Sequence, residues 1–266
     1  MTIDLDTDKM QADVADGIGW MTFNNPARHN AMSAEMNRAI PVIIDAFASD
    51  PSVRVIVMKG AGGRAFVSGA DISEFGERRT AVDARKEYDA VAGAAQRALA
   101  KVDKPLIAMV EGFCMGGGVL TALKADIRIA ADTSQFAVPA AKLGLGYGYA
   151  AVEALIELVG KAAAAEILYS ARRYSAEEAA QIGLINRSVP VSDLERIVVE
   201  LATAIAGNAP MTIRSIKAAI GEVSKDPDRR DLARVAELTE ACFTSDDYLE
   251  GQTAFLEKRQ PVFHDR

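Results

Sequence analysis

Two glycine turns are the part of this sequence whose residue types and spacing could support catalysis. The first lies in residues 65–72 (AFVSGADI) and the second in residues 112–118 (GFCMGGG), and each joins a β-rich run to the start of a helix. Backbone N–H groups at such a point lack partners within the helix and attract negative charge. Two convergent amides can hold the oxygen of a thioester while charge builds on it, as acyl-transfer and enolate-forming enzymes require. The pair of turns, in this order, favours that chemistry over two merely compact turns.

Composition limits the kinds of partner that the chain can have. It has 266 residues, half of them hydrophobic, which predicts a globular protein with a large core. Its net charge of -7 argues against nucleic acid as a partner. Its start is acidic, and no apolar stretch reaches the roughly 18 residues of a membrane span, so we expect a cytoplasmic protein without a membrane partner. The two histidines and two cysteines show no metal-ligand spacing. We therefore predict no metal site and no histidine-based triad.

Strands and helices alternate around the two turns. Runs of β-branched and aromatic residues predict strands at residues 19–23, 53–58, 105–110, 127–130 and 136–138. Ser33 is the predicted N-cap of an early helix. From about residue 150 the pattern is helical, with capping-box sequences beginning at Ser175 and Ser192. The sequence predicts an α/β fold with mostly parallel strands, divided into a core of residues 1–200 and a helical C-terminal region of residues 201–266.

Five ordered motifs make this sequence similar to the crotonase superfamily, also called the enoyl-CoA hydratase/isomerase family, over nearly its full length. The motifs are residues 25–32, 65–72, 112–118, 136–144 and 250–259. The resemblance implies a spiral of ββα units with a helical C-terminal trimerisation region, and a homotrimer or homohexamer. It also implies an acyl-CoA thioester as the substrate, with coenzyme A (CoA) as part of that substrate and no permanently bound cofactor. Apolar residues of the helical region suit such an interface, namely Leu232, Val235, Leu238 and Phe243.

Carried over position by position, the resemblance implies a set of site residues. The oxyanion donors are the backbone amides of Ala70 and Gly117. Contacts with CoA are expected at three places in the chain: Ala27, Arg28 and His29; Ala70, Asp71 and Ile72; and Phe255 with Lys258. A guanidinium at Arg28 suits the phosphates of CoA, although a solvated arginine is an equal alternative. Asp71 is alternatively a helix cap, and Phe255 is alternatively a core residue.

The sequence departs from the family where its hydratases carry two glutamates. The first glutamate follows the glycine turn by two residues, where this chain has Leu120, and the second follows the Phe-x-x-Pro element, where it has Ala140. Two carboxylates transfer the protons of hydration, and neither leucine nor alanine can replace them. Tyr147 is similar in position to a tyrosine of the methylmalonyl-CoA decarboxylase branch, which makes it a catalytic candidate, with simple packing as the alternative. Lys142 and Glu153 are expected on the surface.

Three functions remain open on the sequence. The first is an acyl-CoA enzyme that stabilises a thioester enolate without the glutamate pair, with decarboxylase-like or isomerase-like chemistry. The second is an enoyl-CoA hydratase with an atypical base. The third is a non-catalytic protein that binds CoA thioesters. We favour the first, because its chemistry depends on the oxyanion amides and decarboxylation needs little else.

Overall fold

The strands form two β-sheets, and the larger of them has six strands. The computed structural model describes residues 3–71 and 82–266. Within these ranges the larger sheet contains, in spatial order, β1 (Met10–Ala15), β2 (Ile18–Phe23), β3 (Val55–Gly60), β5 (Leu106–Val110), β7 (Ile127–Ala131) and β10 (Arg187–Val189). β1 and β2 form an antiparallel hairpin, and the other neighbouring strands are parallel. The mostly parallel sheet predicted from the sequence is confirmed.

The smaller sheet carries the two glycine turns. β4 (Ala65–Val67), β6 (Phe113–Met115) and β8 (Gln135–Ala137) are parallel neighbours, and β9 (Tyr174–Ser175) pairs antiparallel with β8. Along the chain β3 precedes β4, β5 precedes β6, and β7 precedes β8, so each pair places one strand in each sheet. Helices follow these pairs, which gives the predicted spiral of ββα units.

The helices connect the strand pairs and then form most of the C-terminal part. Those within the described residues are α1 (Ala34–Ser49), α2 (Val82–Lys101), α3 (Gly117–Ala122), α4 (Tyr149–Ser170), α5 (Ala176–Gln181), α6 (Leu194–Ala206), α7 (Pro210–Val223), α8 (Leu232–Phe243) and α9 (Asp246–Glu257). α1 and α2 pack against each other, and α7 packs against α8.

Alternate residues of the larger sheet enter two separate cores. On β3, Val57 points to a core shared with α6, and Met58 points to a larger core shared with α1 and the smaller sheet. This alternation follows from the period of two along a strand. α6 presents a matching apolar stripe with a spacing of four residues, formed by Leu194, Val198 and Ala202. The sheet is therefore covered on both faces, as a parallel sheet requires.

The predicted helix starts are confirmed at two places and wrong at a third. Ser33 caps α1 by accepting a hydrogen bond from Met36 N, and Ser175 forms a full capping box with Glu178. Ser192 does not cap a helix. It lies inside a 3-10 turn (Val191–Asp193), which closes through the bond from Asp193 N to Pro190 O, and α6 begins after this turn.

The C-terminal helices leave much apolar surface uncovered in the single chain. No residue of α8 is fully buried, and Leu232 and Phe243 are 64% and 57% exposed. The trimer or hexamer stays a prediction, as does the division at residue 200, which falls inside α6. No helix of the described residues is long and apolar enough to cross a membrane.

Candidate active site

The two glycine turns lie side by side because the strands before them are parallel neighbours. Ala65 of β4 pairs with Phe113 of β6, so the two strands end at the same edge of the smaller sheet. A Cβ atom built on Gly117 would lie 3.9 Å from Ala70 N, with Gly69 equally close. The structure thus brings together the two predicted oxyanion residues, Ala70 and Gly117, which are far apart in sequence.

In the part of the chain that the structure describes, the amides of these two residues donate no hydrogen bond, whereas one neighbouring amide on each turn is bonded. Asp71 N donates to Met32 O at 3.0 Å, and Gly116 N donates to Ala137 O at 2.8 Å. Among the described residues, neither Ala70 N nor Gly117 N donates a hydrogen bond. Two free donors on adjacent turns form the arrangement that can hold one oxygen atom as it takes up negative charge.

Gly116 and Gly118 of the second turn must be glycine for different reasons. Gly116 has φ +51°, in the left-handed region that favours glycine. Gly118 is pressed against β4, because a Cβ atom there would lie 2.0 Å from Val67 O. Gly117 between them is open, since a Cβ atom built on it meets no atom closer than 3.9 Å. A side chain at Gly117 would extend toward Ala70, into the space expected for the ligand oxygen.

The first predicted CoA segment runs alongside the Ala70 turn. Ala27 and Arg28 lie exposed on a 3-10 turn (Pro26–Arg28), and His29 follows in a left-handed conformation with its ring against the edge of Phe113. His29 O accepts from Ser68 N, and the chain then pairs with the turn through the bridge between Met32 and Ala70. Asp71 lies beside this bridge, and Ile72 lies outside the described residues.

Phe255 and Lys258 lie in another part of the chain. Phe255 is 83% exposed on α9, and Lys258 ends that helix in a left-handed conformation. Phe255 lines an apolar groove formed by α7, α8, α9 and Phe263, and the groove contains no residue of either glycine turn. Phe255 therefore lies in a different groove from the two turns, and the contact of Phe255 and Lys258 with CoA stays a prediction.

Apolar side chains occupy the places where the resemblance puts the hydratase glutamates. Leu120 is on α3, one turn after Gly116, whose carbonyl accepts its N–H at 3.2 Å. Ala140 is in a 3-10 helix (Pro139–Leu143) that touches the same turn, since a Cβ atom on Gly116 would lie 3.8 Å from Pro139 Cδ. Both side chains are partly buried. The predicted surface positions of the polar candidates are also observed, because Lys142 and Glu153 are exposed.

Tyr147 is half-buried, with its hydroxyl directed into the protein. The ring packs against the larger core, and the hydroxyl is buried without a hydrogen-bond partner in the structure. Burial raises the pKa of the Tyr147 phenol, and the nearby Cys114 thiol raises it further. The phenol therefore stays protonated at neutral pH and has an unused proton to donate.

Sequence reasoning missed two polar residues behind the second turn. Thr121 Oγ1 donates to Gly117 O at 2.9 Å, and Gln96 Nε2 of α2 donates to Thr121 Oγ1 at 3.2 Å. The spacing of four residues between Gly117 and Thr121 was the available signal, because a threonine on a helix can bond the carbonyl four residues before it. In the part of the chain that the structure describes, no cluster of three or more His, Cys, Asp or Glu residues could hold a metal ion.

Comparisons with known proteins show the family of this chain. The profile of the enoyl-CoA hydratase/isomerase family matches residues 13–266. The short-chain-enoyl-CoA hydratase of Clostridium acetobutylicum is 35% identical over 90% of this chain and 91% of its own. The crotonyl-CoA hydratase of Syntrophomonas wolfei is also 35% identical, over 91% of this chain and 92% of its own.

A solved structure extends the agreement from sequence to fold. An enoyl-CoA hydratase/carnithine racemase from Magnetospirillum magneticum superposes with a TM-score of 0.92 at 34% identity, covering 98% of this chain and 97% of the other. The chain belongs to the enoyl-CoA hydratase/isomerase family, whose members are enzymes that act on CoA thioesters. The resemblance predicted from five motifs is confirmed.

Proposed function

We propose that this protein is an acyl-CoA enzyme that stabilises a thioester enolate between the N–H groups of Ala70 and Gly117, without a glutamate pair. The unpaired amides on the two adjacent turns are the observation on which the proposal rests. Decarboxylation is the favoured reaction. It needs a stabilised enolate, whereas hydration and double-bond migration need a group that moves protons.

The proposed reaction proceeds in two steps. The bond between Cα and the carboxylate of a 2-carboxyacyl-CoA breaks, CO2 leaves, and the electron pair passes to the thioester, whose oxygen the two amides hold. Water then returns a proton to Cα. Tyr147 is the candidate donor to the carboxylate, since its hydroxyl is buried and unpartnered. An isomerase-like reaction through the same enolate is the alternative, and it would need a base to remove a proton from the substrate.

The names of the relatives favour hydration as a second candidate. Two relatives at 35% identity are called hydratases. Hydration by this chain would require another base, because Leu120 and Ala140 cannot transfer protons. A non-catalytic protein that binds CoA thioesters is the third outcome that the experiment must distinguish.

The test compares methylmalonyl-CoA with crotonyl-CoA, following CO2 release and the loss of enoyl absorbance. We expect the wild type to release CO2 from methylmalonyl-CoA and to hydrate crotonyl-CoA slowly or not at all. Gly117→Val should lower CO2 release by about 100-fold or more, as the loss of one oxyanion donor does. Gly221→Ala is the matched control, because that glycine lies in α7 with no atom within 4 Å of an added Cβ.

Three results would contradict the proposal. Fast hydration without CO2 release would establish the second candidate. Binding of both thioesters without turnover would establish the third. Unchanged turnover in a folded Gly117→Val protein would show that the Gly117 amide does not hold the oxygen.

A further inference from the structure

A small cavity lies where the N-terminal ends of β3 and β5 meet α7. Its volume is about 20 Å³, which is room for one water molecule or one small ion. Three cationic side chains line the cavity, namely Arg54 just before β3, Lys104 just before β5, and Arg214 on α7. Asp265 is the one carboxylate among the described residues of this lining. The lining therefore carries an excess of positive charge, although the whole chain has a net charge of -7.

The carboxylate and the lysine of this lining already have partners. Asp265 accepts two hydrogen bonds from Arg214, at 2.7 and 2.8 Å, so it is engaged by that guanidinium. Lys104 Nζ donates to Phe47 O at 2.6 Å and to Asp50 O at 2.7 Å, and both acceptors are neutral carbonyls. Burial lowers the pKa of Lys104, which means that its positive charge is costly in this place.

Arg54 has a donor group that no described residue accepts from. Its Nη2 donates to Phe263 O at 3.3 Å, whereas its Nη1 is buried without a hydrogen-bond partner. Leaving a buried donor unpaired costs free energy, and more so on a charged group. The carboxylates of Asp50 and Asp103 attract Lys104 but do not line the cavity. In the described part of the chain, the cavity thus has a free charged donor and no carboxylate to spare for it.

We propose that the cavity is a halide site, in which chloride accepts from Arg54 Nη1 and lies near the charges of Lys104 and Arg214. A water molecule would give Arg54 Nη1 an acceptor but would leave the excess charge, whereas an anion supplies both. The volume favours a monatomic anion, because the cavity has no room for a phosphate or sulfate group. The inference is independent of the proposed function.

The ion would also help to fasten the C-terminal segment to the core. Phe263 O is bonded to Arg54, and the Asp265 carboxylate is bonded to Arg214. Both arginines line the cavity, so an anion there would offset the repulsion between the groups that hold this segment. An ion that binds the folded protein and not the unfolded chain stabilises the fold by mass action. Chloride should therefore raise the thermal stability of this protein.

The direct test uses bromide as the probe, since its anomalous scattering distinguishes it from water. Crystals grown without halide are soaked in sodium bromide at about 0.1 M, close to physiological ionic strength. We expect an anomalous peak in the cavity beside Arg54 Nη1. Crystals of Arg54→Gln, which lacks the charged donor, should show no peak there.

The second test measures thermal unfolding in sodium chloride and in sodium gluconate, whose anion is too large for the cavity. Both salts are used at about 0.1 M, so that screening is equal. The Tm of the wild type should be about 2–4 °C higher in chloride, as expected when the chloride concentration is about ten times its Kd. Arg54→Gln should remove this difference between the salts.

Arg187→Gln is the control that removes the same charge elsewhere. Arg187 is exposed on β10 and does not line the cavity. This variant should keep the full difference between chloride and gluconate. If Arg54→Gln does not fold, the bromide soak of the wild type decides the question alone.

The outcomes divide clearly. A bromide peak in the cavity, with a chloride effect that Arg54→Gln removes and Arg187→Gln keeps, would support the inference. Density for water without an anomalous peak would overturn it. A peak only at molar bromide, with equal Tm in the two dilute salts, would mean an adventitious ion only and would also overturn it. The same holds for a chloride effect of equal size in folded Arg54→Gln, because the ion would then bind elsewhere.

Discussion

The candidate site has a backbone half, the turns that carry the Ala70 and Gly117 amides, and a side-chain half, formed by Leu120, Ala140 and Tyr147. The two halves differ in how many contacts hold their polar groups in place. On the backbone side, the Ala70 turn is paired with the chain at Met32, and the Gly117 turn is held by β4, β8 and Thr121. On the side-chain side, Leu120 and Ala140 offer no polar atoms, and the hydroxyl of Tyr147 has no partner.

This difference separates what the fold supplies from what single residues supply. Two parallel strands and their turns place the amides, so the proposed stabilisation of an enolate would depend on the architecture. The side chains around that point decide where protons or CO2 go. Changes to the side-chain half should therefore alter the reaction, while changes to the backbone half should abolish it.

The largest expected effect is a gain of hydration when carboxylates are restored. Leu120→Glu combined with Ala140→Glu should raise crotonyl-CoA hydration at least about 100-fold above the wild type, because general acid and base groups each contribute that much or more. Burial raises the pKa of a carboxyl group, so the gain should increase as the pH rises above neutrality. The measurement is the loss of enoyl absorbance against pH.

The control for this variant adds the same charges away from the two glycine turns. Val42→Glu with Val191→Glu places two carboxylates on side chains of α1 and of the 3-10 turn before α6 that are already exposed, and hydration should stay at the wild-type level. Fast hydration by the wild type, unaffected by Tyr147→Phe, would show that another carboxylate enters the site.

A second comparison uses neighbouring glycines of the backbone half. Gly118→Ala should lower the free energy of unfolding by about 1–3 kcal/mol or more, because its Cβ atom would meet Val67 O at 2.0 Å. Gly117→Ala should stay within about 1 kcal/mol of the wild type in stability and lose turnover, because its methyl group enters the gap beside Ala70. Urea unfolding and CO2 release measure the two effects.

The opposite pattern would contradict this assignment. Equal destabilisation by both substitutions would mean that Gly117 is also a packing residue, and its loss of turnover would then have no bearing on the oxyanion site.

Much of the fold was predictable because its strands are strongly patterned. The predicted strand at residues 53–58 overlaps β3, whose alternate residues Val57 and Met58 enter different cores. The three-residue strand β6 was missed, since a strand this short has no period of its own and exists only through pairing with β4 and β8. The capping box predicted at Ser192 was wrong for a related reason. The backbone bond from Asp193 N to Pro190 O forms a turn there, and the local sequence pattern does not reveal this bond.

The site was predictable where it depends on backbone and not where it depends on contacts between distant helices. The turns at Ala70 and Gly117 carry glycines that mark them in the sequence. The bond between Gln96 and Thr121 joins residues 25 apart on separate helices, and no local pattern specifies which glutamine meets which threonine. The sequence also gave no sign that the hydroxyl of Tyr147 would be buried and unpaired.

The smallest expected effect concerns Tyr147, the one phenol of the side-chain half. Tyr147→Phe removes a buried hydroxyl without a partner, so stability at pH 7 should be unchanged or higher by up to about 1 kcal/mol. If the hydroxyl donates to the substrate carboxylate, CO2 release should fall about 10-fold, because a hydrogen bond to a charged group is lost. Unchanged CO2 release would make Tyr147 a packing residue.

The pH dependence gives an independent measure of the same group. Burial raises the pKa of Tyr147 above that of an ordinary phenol, so the folded protein keeps this proton while the unfolded chain releases it at about pH 10. The contribution of Tyr147 to stability is therefore present below that pH and is lost as the pH rises further. Urea unfolding at several pH values between 8 and 11 should show a smaller decline for Tyr147→Phe than for the wild type. Equal declines in the two proteins would mean that Tyr147 ionises as easily in the folded state as in the unfolded chain, and its hydroxyl would then be accessible to water and not buried beside the second turn.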